Sequence, residues 1–121
     1  MASLFENRVV AANGRPAIVV ERFGGKAVGF FCDPAAFTNA ATAAFVLPEK
    51  ELDFLSAPNL STSPDIMANF CNLLKARAAC LQKWEASVAD QAWHDFLAGH
   101  PSIIDDMNAA RKVVEFSKVR K

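Results

Sequence analysis

The chain has 121 residues, with 13 Lys plus Arg against 13 Asp plus Glu and a hydrophobic share of 52%. That composition is ordinary for a folded domain and excludes a disordered chain, a collagen-like repeat and a disulfide scaffold. A net charge of zero lacks the basic excess of most nucleic-acid binders and leaves little repulsion between copies.

A chain of 13.1 kDa can bury roughly two-thirds of its unfolded surface, so residues 1–121 are expected to form one domain without disulfide or metal staples. No run of 18 apolar residues occurs, and no membrane partner is expected. The opening residues, Met1 to Arg8, lack the apolar core of a signal peptide, so the expected compartment is the cytoplasm.

The first third reads as an antiparallel β-meander of about three strands. Arg8–Ala12 is a short β-prone run, and Asn13-Gly14 is a strong hairpin signal because a type I′ turn needs positive φ at both central residues. Ala17–Phe23 is the second strand, with Pro16 at its start. Gly24-Gly25 marks another tight turn, and Ala27–Cys32 is the third strand. Gly29 within it marks a bulge or a close backbone approach.

Asp33-Pro34 reads as an N-cap followed by Pro at the first helical position. Phe37, Ala40, Ala41, Ala44 and Phe45 keep helical spacing, so a helix to about Ala44 is expected. The competing reading makes Thr42–Leu47 a fourth strand. Pro48 to Leu55 is read as a short helical turn. Residues 56–63 form a loop between this β-rich part, residues 1–55, and a helical part, residues 64–121.

Ser63-Pro64-Asp65 opens the helical part. Ile66, Phe70, Leu73, Leu74, Arg77, Leu81 and Trp84 then repeat near 3.6 residues. A break is expected near residues 85–87, where Ser87 to Asp90 resembles a capping box, although one unbroken helix to Phe96 also fits. Gly99-His100-Pro101 is a stop. Ser102 to Asp105 begins a last helix whose stripe is Ile103, Met107, Ala110 and Val114. The fold class is therefore α+β: a β-meander packed against about three helices.

Side-chain chemistry is sparse. Cys32, Cys71 and Cys80 are an odd, widely spaced set, with no CxxC pair. On one helix Cys71 and Cys80 would lie about 13.5 Å apart along the axis, too far to share a metal. They read as small buried hydrophobes. His94 reads as a boundary residue, and His100 as a cap on the preceding helix end. Gly24-Gly25-Lys26 is a hairpin turn rather than a phosphate loop. Glu49, Glu51 and Asp53 read as solvated surface, and Asp105 and Asp106 as helix-opening acids. No cofactor, metal site or catalytic residue is expected, and the chain is read as a non-enzyme.

The residues around Gly99 to Ser102 have a helix-turn-helix outline. The helix that would enter the groove opens on Asp105 and Asp106, which repel phosphate. Its basic residues, Arg111, Lys112, Lys118, Arg120 and Lys121, lie at the far end and carry the alternative of a nucleic-acid-associated regulator. A third alternative is a small enzyme with Cys71 or Cys80 as nucleophile.

The sheet residues are apolar on both faces. Ile18, Val20, Val28, Phe30 and Cys32 take one side; Val19, Phe23, Ala27 and Phe31 take the other. Helices can cover one face. The second needs the segment 34–55, a second copy or a foreign partner. Trp84 and Trp93 are read as sharing a broad helix face. The leading expectation is a small protein-binding module, such as an inhibitor, adaptor or assembly factor. Its contacts would be Val19, Phe23, Phe31, Trp84 and Trp93, and its partner another protein or itself as a homodimer.

Overall fold

The computed structural model describes residues 4–55 and 60–119. It is an α+β fold with five strands rather than three. The strands are β1 (Leu4–Ala12), β2 (Arg15–Phe23), β3 (Lys26–Phe31), β4 (Ala44–Pro48) and β5 (Leu52–Phe54). The helices are α1 (Pro34–Thr38), α2 (Pro64–Ala78), α3 (Lys83–Gly99) and α4 (Ser102–Val119).

Both expected hairpins form. Asn13 and Gly14 have φ of 53° and 80°, and Gly24 and Gly25 have 55° and 78°, the paired positive values of a type I′ turn. The helix expected to reach Ala44 stops at Thr38; a 3-10 turn at Ala40–Thr42 follows, and then β4. The free edge of β3 captures this segment, because Phe45 and Leu47 then reach the second face of the sheet. Only Glu49–Glu51 coils in the stretch expected as a helical turn, and Leu52–Phe54 pairs with β1.

The strand order is β4-β3-β2-β1-β5, with every neighbour antiparallel. Strands β4 and β5 thus occupy opposite edges although only Glu49–Glu51 separates them. Pro48 lies beside Lys26 at one end of the sheet, and Leu52 beside Ala12 at the other. In a flat sheet these corners would be about 30 Å apart, from strand spacings near 4.8 Å and rises near 3.3 Å. Four chain steps span at most about 14 Å. The sheet must curl, and register shifts between Phe5 and Arg8 on β1 and between Val19 and Glu21 on β2 mark where neighbouring strands bend.

Curling produces two cores. The outer face of the sheet packs Val9, Ile18, Val20, Val28 and Phe30 against α2 and α4. Phe30 meets Phe70 edge to face at 5.3 Å. The expected stripe of α4, Ile103, Met107, Ala110 and Val114, is buried here. The inner face encloses Val10, Ala12, Ala17, Val19 and Ala27 beneath Phe45 and Leu52, with Phe31, Leu47 and Phe54 against them. The second face is therefore covered by the segment 34–55 of the same chain. Its mouth is closed by guanidinium groups stacked on rings: Arg15 over Phe31 at 3.8 Å, and Arg8 and Arg22 over Phe54 at 5.4 and 5.1 Å.

Gly29 is a close-approach position. A Cβ there would lie 2.2 Å from the Ile18 carbonyl oxygen and 3.0 Å from the Phe45 ring. The first of these is backbone and cannot swing aside. Gly29→Ala is expected to destabilise the fold by about 2–3 kcal/mol, read as a lower urea midpoint with unchanged slope.

Asp33 caps α1 by position only; its carboxylate instead accepts from Arg15 Nε at 2.8 Å and Nη2 at 2.9 Å. The Arg15 hydrogen bond holds the Asp33 carboxyl below its ordinary pKa. A carboxyl so depressed stabilises the fold above its unfolded pKa near 4, and the contribution fades as pH falls through the lower folded value. Asp33→Asn is expected to cost up to about 1 kcal/mol at pH 7, the range of a solvent-accessible pair. Denaturation curves of the two proteins should converge towards pH 2.

Candidate interaction surface

The helical part departs from expectation at one place that shapes the surface. Helix α2 ends at Ala78, and Ala79–Gln82 forms the turn into α3, several residues before the expected break at 85–87. Ser87 to Asp90 lies inside α3 and caps nothing. Asp90 instead faces α2, accepting from Arg77 Nε at 2.7 Å and from Trp93 Nε1 at 3.1 Å. Trp93 packs on Phe37 with ring centroids 5.6 Å apart, and Phe96 stacks on Phe70 at 6.2 Å. These contacts fix which face of α3 turns inward.

The opposite face is bare. Leu81 is 92% exposed, Trp84 68% and Val88 63%. Trp84 and Val88, four residues apart, share one face of α3, and Leu81 precedes them in the turn Ala79–Gln82; together they make an exposed apolar ridge at the tip of the α2–α3 hairpin. Helix α3 packs chiefly on α2, and Trp93 is its one fully buried residue among those described. The outward face of the hairpin tip is therefore left uncovered by the rest of the chain.

The five expected contact residues separate in space. Val19 is fully enclosed in the inner core, and Trp93 is buried between α3 and α1, so both are covered by the chain itself. Trp84 and Trp93 do not share a face: nine residues advance 900°, half a turn out of phase. Phe31 is half-buried under Arg15 and against Phe45. Phe23 is 42% exposed at the end of β2, beside the β2–β3 turn. Of the expected set, Trp84 alone belongs to the ridge. The helical period that runs from Ile66 also takes in Leu81, but the helix end at Ala78 takes it out of that stripe.

Of the basic residues of the alternative reading, the structure describes the side chains of Arg111 and Lys112. Arg111 donates to Asn108 on its own helix, and Lys112 is exposed. The side chain of Lys118 and residues Arg120 and Lys121 lie outside the described residues. At the other end of α4, Asp106 is buried and accepts the backbone N–H groups of Ser61 and Thr62 at 2.7 and 2.9 Å. It anchors the loop to α4, so the helix start is occupied internally.

Cys32 and Cys71 are buried, and burial pushes both thiols up, Cys71 to about 12. Cys80 is partly accessible just past the end of α2, its Sγ directed at the Ala76 carbonyl. His100 caps α3 as expected, Nδ1 donating to the Phe96 carbonyl at 3.0 Å. His94 is exposed and lies against the Trp93 ring. Among the described residues no group of three His, Cys, Asp or Glu could hold a metal ion. No helix among them is long and apolar enough to cross a membrane.

No protein-family model, curated protein or solved structure matches this chain.

Thiol accessibility gives a direct check of this arrangement. Alkylation of the native protein at pH 7.5 is expected to label Cys80 alone. Cys32 and Cys71 should react only on unfolding. Rapid labelling of Cys71 in the native protein would contradict its placement.

Proposed function

We propose that this chain is a protein-binding module that acts by seating the exposed face of its α2–α3 hairpin tip on a partner protein, as an inhibitor, adaptor or assembly factor does. The observation that carries this reading is the exposure of Leu81, Trp84 and Val88, three large apolar side chains at the α2–α3 turn and along the first turns of α3. The four-residue spacing of Trp84 and Val88 is that of anchors on an amphipathic helix entering a hydrophobic groove, and Trp is enriched at binding hot spots.

The ridge fits a foreign pocket better than a second copy of itself. Beyond Val88 the same stripe turns polar, with Gln91 Nε2 donating to Asp95 Oδ1 at 2.7 Å. Two antiparallel α3 helices centred on Val88 would lay the polar end of each stripe against the apolar end of the other and desolvate it. A pocket that accepts only the hairpin tip avoids this cost.

A photo-crosslinking residue at position 84 or 88 is expected to yield one discrete heterologous adduct in cells, and the same residue at exposed Lys112 none. Trp84→Asp should abolish formation of that complex while shifting stability by less than about 0.5 kcal/mol, because the side chain touches little of its own fold. Trp84→Ala should weaken it about 30-fold or more, as for a hot-spot Trp. Equal crosslinking from positions 84 and 112, or undiminished binding by Trp84→Asp, would overturn the reading.

A further inference from the structure

We infer that α3 is a lid latched by Asp90, which opens as a unit from α2 and α1 while the sheet, α2 and α4 stay folded. The inference stands on how α3 is held, not on what its exposed face binds. Helices α2 and α4 are both anchored in the outer core. Helix α2 puts Met67, Phe70, Cys71 and Leu74 into it, and α4 puts Ile103, Ala110 and Val114 there, each no more than 2% exposed. Helix α3 is of similar length, 17 residues against 15 and 18, yet among the described residues it buries Trp93 alone. Its packing is chiefly on another helix, α2, and not on the sheet.

Little within α3 replaces the missing burial. Gln82 precedes it without a side-chain capping bond, and Lys83 sets a cation at the positive end of the helix dipole. The last turn has no basic residue to meet the negative end. Glu85 in the first turn and the His100 bond to the Phe96 carbonyl give local support. Against them, the interior carries Val88, Asp90, Trp93 and Asp95, all weaker helix formers than Ala or Leu. A helix of this length is marginal in water on its own, so α3 depends on what it touches.

Those contacts lie close together. Asp90 Oδ1 accepts from both Arg77 Nε and Trp93 Nε1, so one carboxylate ties α3 to α2 and fixes the Trp93 ring. Next to it Trp93 lies on Phe37 of α1, and Phe96 on Phe70 of α2. The chain turns on either side of α3, at Ala79–Gln82 and at His100–Pro101. The bonds from Ser61 and Thr62 to Asp106 hold α4 beyond the second turn. Losing the Asp90 latch and the two ring contacts therefore frees α3 and leaves the ladder of the sheet intact. Elements with few buried apolar contacts open ahead of global unfolding. Opening brings Trp93, Phe96 and Phe37 to the surface, rings that the closed form holds against one another or against α2.

Native-state amide exchange of the full chain tests this. The amides of residues 87–99 are expected to share one opening free energy and to exchange at least about 100-fold faster than Ile18 and Val20 of β2, after correction for intrinsic rates. Their dependence on added urea should be much smaller, because opening exposes far less surface than unfolding. Gly29→Ala weakens the sheet equally in the closed and open forms, so it should speed exchange in β2 and leave α3 unchanged. Asp90→Asn should speed exchange across α3 about fivefold. Three results would each overturn the inference: α3 protected as strongly as β2 with the same urea slope, protection that fades smoothly from the middle of α3 to its ends, or α3 amides that Gly29→Ala speeds as much as those of β2. No change in α3 with Asp90→Asn would overturn the latch. If Gly29→Ala does not fold, the urea slopes of the wild type decide the question alone.

Discussion

The short link between β4 and β5 is the constraint on which the rest of the molecule depends. Three residues join strands on opposite edges of a five-stranded sheet, and no flat sheet allows it. The sheet must curl, and once curled it encloses its own inner face. This is why Val10, Ala17, Val19 and Ala27 are dry without any helix over them. It is also why Arg8, Arg15 and Arg22 lie at the rim, their guanidinium groups over Phe31 and Phe54 where the enclosed core meets water. Gly29 belongs to the same requirement, since the bend brings the Ile18 carbonyl into the space a side chain would fill.

With the inner face satisfied internally, the helices serve only the outer face. Helices α2 and α4 cover it with continuous apolar stripes. Helix α3 is left to pack on α2, through Trp93, Phe96 and the Asp90 bridge to Arg77. A helix held along one side keeps its other side for something else. Large apolar side chains stay exposed on single elements, as with Val46 on β4, Phe23 at the β2–β3 turn and Ile104 and Phe116 on α4, while Leu81, Trp84 and Val88 follow one another closely at the hairpin tip.

Much of this was legible in the sequence. Both type I′ turns, the three meander strands, the start of α2, the stop at His100 and the stripe of α4 follow from local rules of backbone conformation and periodicity. The alternation of apolar residues on both sides of β2 and β3 correctly announced that both faces of the sheet are buried. The assignment of its cover was not legible, because the residues that supply it, Phe45, Leu47, Leu52 and Phe54, sit in segments whose spacing also fits a helix. The end of α2 at Ala78 was equally hidden. Neither Gly nor Pro marks it, and Gln82 at the N-cap of α3 makes no side-chain capping bond.

What the sequence determined by itself, then, is local: where the chain turns, which runs are extended or helical, and how apolar each face is. Those properties depend on a residue and its near neighbours, through φ preference, capping and period. What only the tertiary structure decided is which of several equally apolar residues are spent inside and which remain outside. Val19 and Trp93 are interior, while Leu81, Trp84 and Val88 are not. That division depends on the curl forced between distant strands and on a helix break set by contacts of α3 with α2 and α1. Hydrophobicity is a property of the side chain alone, whereas burial is a property of what the fold brings to it.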